Sequence, residues 1–292
     1  VITLFKLLSA LPLWLLHGLG AAFGWLAYAV SARYRREFRA NAAQAGVPLP
    51  LARPGVAHAG RMVMELPYIW FRPPTRSVLR HTPVENLHLV EQAVAAKRGI
   101  LFLTPHLGCF EITAQSWALR YGAKVGPITC LYRPPRHPSL QALVDRARRR
   151  EGLDAAPATL SGVRQMIRAL RRGEAVGLLP DQVPPDGLGV WAPFFGKLAY
   201  TMTLAARLAQ QTDAAIILAW GERLPMGRGY VVHLDELHEP LSEDPLAAAA
   251  QVNAAMQRLI LRCPGQYLWG YERYKQPRAD SPLEARPEQI PQ

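Results

Sequence analysis

The chain has 292 residues, half of them hydrophobic, with 34 lysines and arginines against 22 acids and a formal net charge of +12. That apolar content excludes global disorder, and three cysteines in this length (Cys109, Cys130, Cys263) exclude a disulfide scaffold. A single long apolar stretch argues against a polytopic membrane protein, and no CxxC or HExxH spacing points to a metal site.

The apolar stretch covers residues 7–30, LLSALPLWLLHGLGAAFGWLAYAV, with no formal charge inside it. As one helix it would run about 36 Å, enough to cross a bilayer core. Trp14, Trp25 and Tyr28 suit the interface. Pro12, His17, Gly18, Gly20 and Gly24 weaken a straight span and leave an in-plane or oblique hairpin as the alternative. Arg33, Arg35, Arg36 and Arg39 follow at once, so the rest of the chain is expected to face the cytoplasm. Residues 31–80 read as helical and then proline-rich, with Pro73 and Pro74 leading into the main domain.

From residue 84 an alternation begins. Helical patterns at 85–97, 111–121, 139–150, 162–172, 203–211 and 245–262 alternate with apolar runs at 100–104, 125–132, 175–179, 214–220 and 230–234. This predicts an α/β domain with a mostly parallel central sheet flanked by helices. The chain therefore divides into an N-terminal membrane anchor at 1–31, an α/β domain at 32–276 and a loose polar tail at 277–292. No internal repeat is present.

Two more arginine groups stand out: Arg146, Arg148, Arg149 and Arg150, and then Arg164, Arg168, Arg171 and Arg172 at helical spacing. Such clusters are either solvated helix faces or patches for a polyanion: nucleic acid, anionic headgroups or an acidic protein. No helix-turn-helix, zinc-finger or RNA-binding pattern accompanies them, so nucleic acid is not expected as a partner.

The segment ILFLTPHLGCFEITAQ, residues 100–115, is the most informative. An apolar strand ends at Thr104, Pro105 breaks it, His106 sits in the turn, and a helix starts near Glu111. Ligands in α/β sheets gather outside the carboxyl ends of strands, where His106 would lie. Glu111, in the first helical turn, could accept from one imidazole nitrogen and leave the other as a general base toward a hydroxyl. A turn histidine with only a structural role is the alternative. The same spacing recurs at His238 and Glu243, without any strand–turn–helix frame. Cys109 reads either as a nucleophile beside His106 or as a small buried thiol. The sequence does not identify the oxyanion donors; the backbone N–H groups near the His106–Gly108 turn are one candidate.

Several motifs agree in order with one family: the apolar N-terminus, TPHLGCFE at 104–111, LYRP at 131–134, GLLPDQ at 177–182, FFG at 194–196 and QYLWGYERY at 266–274. With them the chain resembles the bacterial lipid A biosynthesis (lauroyl/myristoyl) acyltransferases of the glycerolipid acyltransferase superfamily. The resemblance implies an α/β fold whose site opens toward the membrane, with His106 and Glu111 as the catalytic dyad. Asp181 and Gln182 end another apolar strand, so they should share the sheet edge with His106. The resemblance implies that they position the acceptor, that Arg133 contacts a phosphate of the acceptor, and that Phe194, Phe195 and Gly196 line an acyl groove. Arg273, in the C-terminal motif, is implied near the substrate. The donor would be acyl-carrier protein or acyl-CoA, the acceptor a glycolipid, the location the inner membrane, and no metal or bound cofactor is required. Related enzymes act on lysophospholipids, aminolipids or other glycolipids. A hydrolase using the same pocket and a non-catalytic membrane adaptor are the further alternatives.

Overall fold

The segments ILFL and AVGL are buried at every position, as strands covered on both faces must be. They form β2 (Ile100–Leu103) and β5 (Ala175–Leu178), the centre of a seven-stranded sheet in the computed structural model, which describes residues 2–72, 81–132 and 151–278. The other strands are β1 (Val84–Glu85), β3 (Ile128–Tyr132), β4 (Leu153–Pro157), β8 (Ala215–Arg223) and β9 (Tyr230–Glu236), in the order β1-β9-β8-β2-β5-β3-β4. All neighbours are parallel except β8 and β9. A separate antiparallel hairpin joins β6 (Gly189–Phe194) to β7 (Lys197–Met202). Strand alternation sends Leu101 and Leu103 into one core, and Ile100 and Phe102 into the core on the other face.

The helices in the sheet region are α7 (His88–Ala95), α8 (Glu111–Tyr121), α9 (Leu160–Arg171), α10 (Leu204–Thr212) and α11 (Pro245–Arg262). The α/β expectation holds, and α8 and α11 have the predicted bounds. The two-residue β1 overlaps the start of the helix predicted at 85–97, and two larger elements were not foreseen either. β4 is a short, partly exposed edge strand reading LDAAP, with none of the apolar alternation that marks a strand. The β6–β7 hairpin turns at Phe195 and Gly196, both at positive φ, the conformation a two-residue hairpin loop requires. The predicted helix at 139–150, with its arginines, lies outside the described residues.

The apolar N-terminus is two helices, α1 (Ile2–Ala10) and α2 (Leu13–Val30), broken where Pro12 precedes the first turn of α2. Three further helices, α3 (Ala32–Gln44), α4 (Leu49–Ala52) and α5 (Pro54–Met64), return the chain to the domain, and α6 (Leu66–Phe71) follows. Along α2, Leu13, Leu16, His17, Gly20 and Gly24 are buried, one stripe at helical spacing. The opposite side exposes Trp14, Leu19, Phe23, Leu26 and Val30. The buried stripe meets α5 through glycines. A Cβ on Gly20 would lie 2.7 Å from the Arg61 Cα, and one on Gly60 would collide with the Gly20 carbonyl. The two backbones can approach this closely only because neither has a side chain at the contact.

Candidate active site

Two adjacent parallel strands end in the same frame: ILFLTPH at residues 100–106 and AVGLLPD at 175–181. β2 and β5 pair with Leu103 opposite Leu178, so His106 and Asp181 each stand three residues beyond matched positions. Pro105 and Pro180 break both strands at the same point. The two side chains therefore leave the sheet edge together.

They meet in a double contact. His106 Nδ1 lies 2.7 Å from Asp181 Oδ1, and the His106 amide donates to Oδ2 at 2.8 Å. Asp181 is buried, and burial alone would raise its pKa. The His106 ring and amide outweigh that and hold the carboxyl below its ordinary value, helped by the Arg273 guanidinium. An ionised Asp181 accepts from Nδ1–H, which leaves Nε2 as the lone-pair nitrogen. Gln182 supports this tautomer: its Nε2 can only donate, and it lies 3.0 Å from His106 Nε2. The His106 side chain is 15% exposed, and Phe110 packs edge-on against its ring at 5.0 Å between centroids.

The structure pairs His106 with Asp181 rather than with Glu111. Glu111 opens α8 and accepts from Trp70 Nε1 at 3.2 Å. With Phe110 and Trp70 it lines a largely apolar cavity that runs across the sheet to Phe102, Ile128, Cys130 and Gly177. Gln182 is brought to His106, as placed above. Arg133 lies outside the described residues. Phe194, Phe195 and Gly196 belong to the β6–β7 hairpin instead of the cavity wall: Phe194 is buried against Arg273 at 5.1 Å, and Phe195 faces Trp269.

Arg273 is likewise internal. It donates to the Tyr200 carbonyl at 2.7 Å and to Thr201 Oγ1 at 2.7 Å. Its charge helps hold the Asp181 carboxyl below its ordinary value. The C-terminal motif is tied to the His106 loop through its backbone. The Leu268 amide donates to the His106 carbonyl, and the Gln266 carbonyl accepts from the Gly108 amide at 3.0 Å. The Gln266 side chain pairs with both backbone groups of Arg223 at 3.0 Å.

One expectation changes, and one pair of alternatives is decided. Every backbone N–H from residue 106 to 109 is already spent: His106 on Asp181, Leu107 on Pro105, Gly108 on Gln266 and Cys109 on Gly221. In this conformation the turn offers no oxyanion donor, because the loop is tied to the sheet through those amides. Cys109 is fully buried, and burial, with Glu65 nearby, pushes its thiol well above the ordinary value, so it is a packed thiol and no nucleophile. Among the described residues no group of His, Cys, Asp and Glu could hold a metal ion.

Sequence reasoning missed the role of Asp181 as the partner of His106. The signal was present in the repeated apolar-strand–x–Pro–polar frame. It also missed a buried group around Glu65 and Arg223 behind the loop, which no local spacing announces.

A geometry of this kind, a tautomer-fixed histidine at a strand end beside an apolar cavity, suits removal of a proton from a hydroxyl next to a fatty chain. The sequence agrees. The bacterial lipid A biosynthesis acyltransferase family matches residues 1–276. The lipid A biosynthesis lauroyltransferase of Escherichia coli K12 is 29% identical over 80% of this chain and 71% of its own length. The palmitoleoyltransferase of the same organism is 28% identical over 74% and 68%. A lipid A biosynthesis acyltransferase of Haemophilus influenzae is 25% identical over 94% and 88%. The chain belongs to the bacterial lipid A biosynthesis acyltransferase family, and it is an enzyme that transfers acyl groups.

Proposed function

We propose that this enzyme moves a fatty acyl chain from the thioester of acyl-carrier protein to a hydroxyl of a lipid A precursor, with His106 as general base. The observation that carries the reading is the pairing of His106 Nδ1 with Asp181, which turns Nε2 away from the carboxylate, with the ring against Phe110 of the apolar cavity wall. The acceptor hydroxyl takes the place of the Gln182 amide on Nε2. As its oxygen bonds to the thioester carbonyl carbon, His106 takes the proton. The C–S bond then breaks, and the imidazolium returns the proton to the leaving thiolate. The displaced Gln182 amide is a donor close to the developing oxyanion.

Glu111 is the second carboxylate of the site, in the wall of the cavity that would take the acyl chain. Arg133 is assigned to a phosphate of the acceptor on the family motif. The exposed apolar face of α2, with Arg33, Arg35, Arg36 and Arg39 just beyond it, supports an inner-membrane location with the sheet domain on the cytoplasmic side. Since the other face of α2 is buried on α5, the helix is read as lying in the membrane plane.

The test is transfer of a labelled acyl chain from acyl-carrier protein to a lipid A precursor, with wild type beside His106→Ala, Asp181→Asn and Glu111→Gln. Loss in His106→Ala and Asp181→Asn supports the assignment. Retained transfer in His106→Ala overturns it. If Glu111→Gln is as inactive as His106→Ala while Asp181→Asn works, Glu111 is the orienting acid. Transfer only from acyl-CoA, or only to a lysophospholipid or aminolipid, changes the substrates and leaves the base in place.

A further inference from the structure

Behind the catalytic loop, on the side away from Asp181, lies a second charged cluster that the reaction above does not use. Glu65, at the junction of α5 and α6, and Arg223, at the end of β8, are both almost fully buried. They form a two-pronged pair: Arg223 Nε to Glu65 Oε2 and Arg223 Nη2 to Glu65 Oε1, each at 2.7 Å. His17 Nε2 from α2 and the Tyr230 hydroxyl from β9 complete the Glu65 shell at 3.1 and 3.0 Å. His58 lies against Arg223 on one side of its ring and Arg61 on the other.

The pair does more than satisfy itself. Arg223 Nη2 also donates to the Gly108 carbonyl at 2.6 Å. Gly108 is the one loop residue with positive φ, and any Cβ there would collide with the Gly221 carbonyl. The loop thus touches β8 at Gly221 and is gripped two residues later by Arg223. Its far end is His106. A buried ion pair is seldom retained for stability alone, because desolvation offsets most of its attraction. Here the same guanidinium nitrogen bridges a carboxylate on the N-terminal helices and a carbonyl in the catalytic turn.

We propose that Glu65 and Arg223 are positioning residues for acyl transfer: the pair clamps the Gly108 carbonyl, sets the His106 ring against Asp181, and roots the catalytic loop in the α2–α5 helical unit. The inference rests on the assignment of His106 as the base. The clamp acts on kcat, because it fixes the direction of Nε2 and touches neither substrate. Misplacement of a reacting group by about 1 Å can cost about 10²-fold.

The test uses the full chain and two variants. In Glu65→Met/Arg223→Met both charges leave together, which a buried pair usually tolerates. In Arg223→Lys the charge on Glu65 is kept, but a single ammonium cannot hold the two-pronged carboxylate contact and the carbonyl at once. For each, kcat and KM for donor and acceptor are measured per folded molecule. The His106 Nδ1–H resonance is followed by nitrogen-15 histidine NMR without substrate. The expected result is a fall in kcat of about 10²-fold at unchanged KM, together with a displaced or exchange-broadened resonance. A purely structural pair would leave both readouts at wild-type values, whatever the melting temperature does, and that outcome overturns the proposal. If the double variant does not fold, Arg223→Lys decides on the same two readouts. If wild type transfers nothing, the functional reading fails, and the resonance still reports on the clamp.

Discussion

Two histidine–carboxylate clusters flank one short loop and are built from the same parts. On the open side His106 meets Asp181, with its ring still partly exposed and Gln182 on the free nitrogen. On the closed side His17 meets Glu65, which also holds Arg223 and Tyr230, all buried. The difference is in what remains unfilled. His106 keeps one nitrogen toward the Gln182 amide on a partly exposed ring, as the proposed entry of a substrate hydroxyl requires. Glu65 has both oxygens taken by internal donors, so no position is left for a substrate group. Residue type does not separate the proposed base from scaffold; the remaining hydrogen-bonding capacity does.

The comparison is broken most directly at the open side. His106→Ala is expected to lower acyl transfer by about 10²- to 10⁴-fold with an unchanged far-ultraviolet circular dichroism spectrum; a smaller loss would make His106 a structural turn residue. Asp181→Asn should lose nearly as much, since an amide in that place can present its N–H to Nδ1 and favour the wrong tautomer. Steady-state rates for Asp181→Asn beside Glu111→Gln show which carboxylate orients the ring.

At the closed side, Glu65→Ala leaves Arg223 as an unpaired buried charge and should destabilise the fold by about 3–5 kcal/mol, read by denaturant unfolding. Acid provides a gentler probe. The Glu65 carboxyl is lowered from 4.5 to about 2: burial opposes this, and Arg223 and His17 outweigh it. His58 is lowered from 6.5 to about 3 by burial and then by Arg223 and Arg61. In both cases the unfolded chain binds its proton first as pH falls, so stability is full above pH 6.5 and is lost progressively toward pH 2. Melting temperatures across that range should fall less steeply in Glu65→Met/Arg223→Met than in wild type.

The smallest effect is expected in the cavity. A Cβ at Gly177 would lie 3.3 Å from Cys130 Sγ and 3.5 Å from the Ile128 Cδ1 atom. Gly177→Val should therefore narrow the cavity and shift product toward shorter chains by about tenfold in relative kcat/KM, measured by mass spectrometry with mixed donors.

Much of the sheet was legible because buried parallel strands announce themselves as unbroken apolar runs: ILFL, AVGL and AIILAW need no partner to be recognised. β4 escaped because an edge strand reading LDAAP is half solvated. The break at Pro12 was visible in the sequence, but the burial of one α2 stripe on α5 depends on Gly60, forty residues away from Gly20. The site followed the same division. His106 could be placed from its own neighbours, whereas its acid partner depends on which strand lies beside β2. Glu111 is near in sequence; Asp181 is near in register. Arg223 and Glu65, separated by 158 residues, could be joined only by the fold.

The glycine seam between α2 and α5 has a mechanical consequence. A helix held by side chains can rock on them, but two backbones in direct contact move as one piece. Gly60 continues in the same helix toward Glu65, Glu65 holds Arg223, and Arg223 holds the turn that carries His106. Trp14, Phe23 and Leu26 on the outer side of α2 are thus at a set height from the imidazole, like the sole plate and blade of a plane. Whatever surface those side chains rest on, the depth of cut is decided before the substrate arrives.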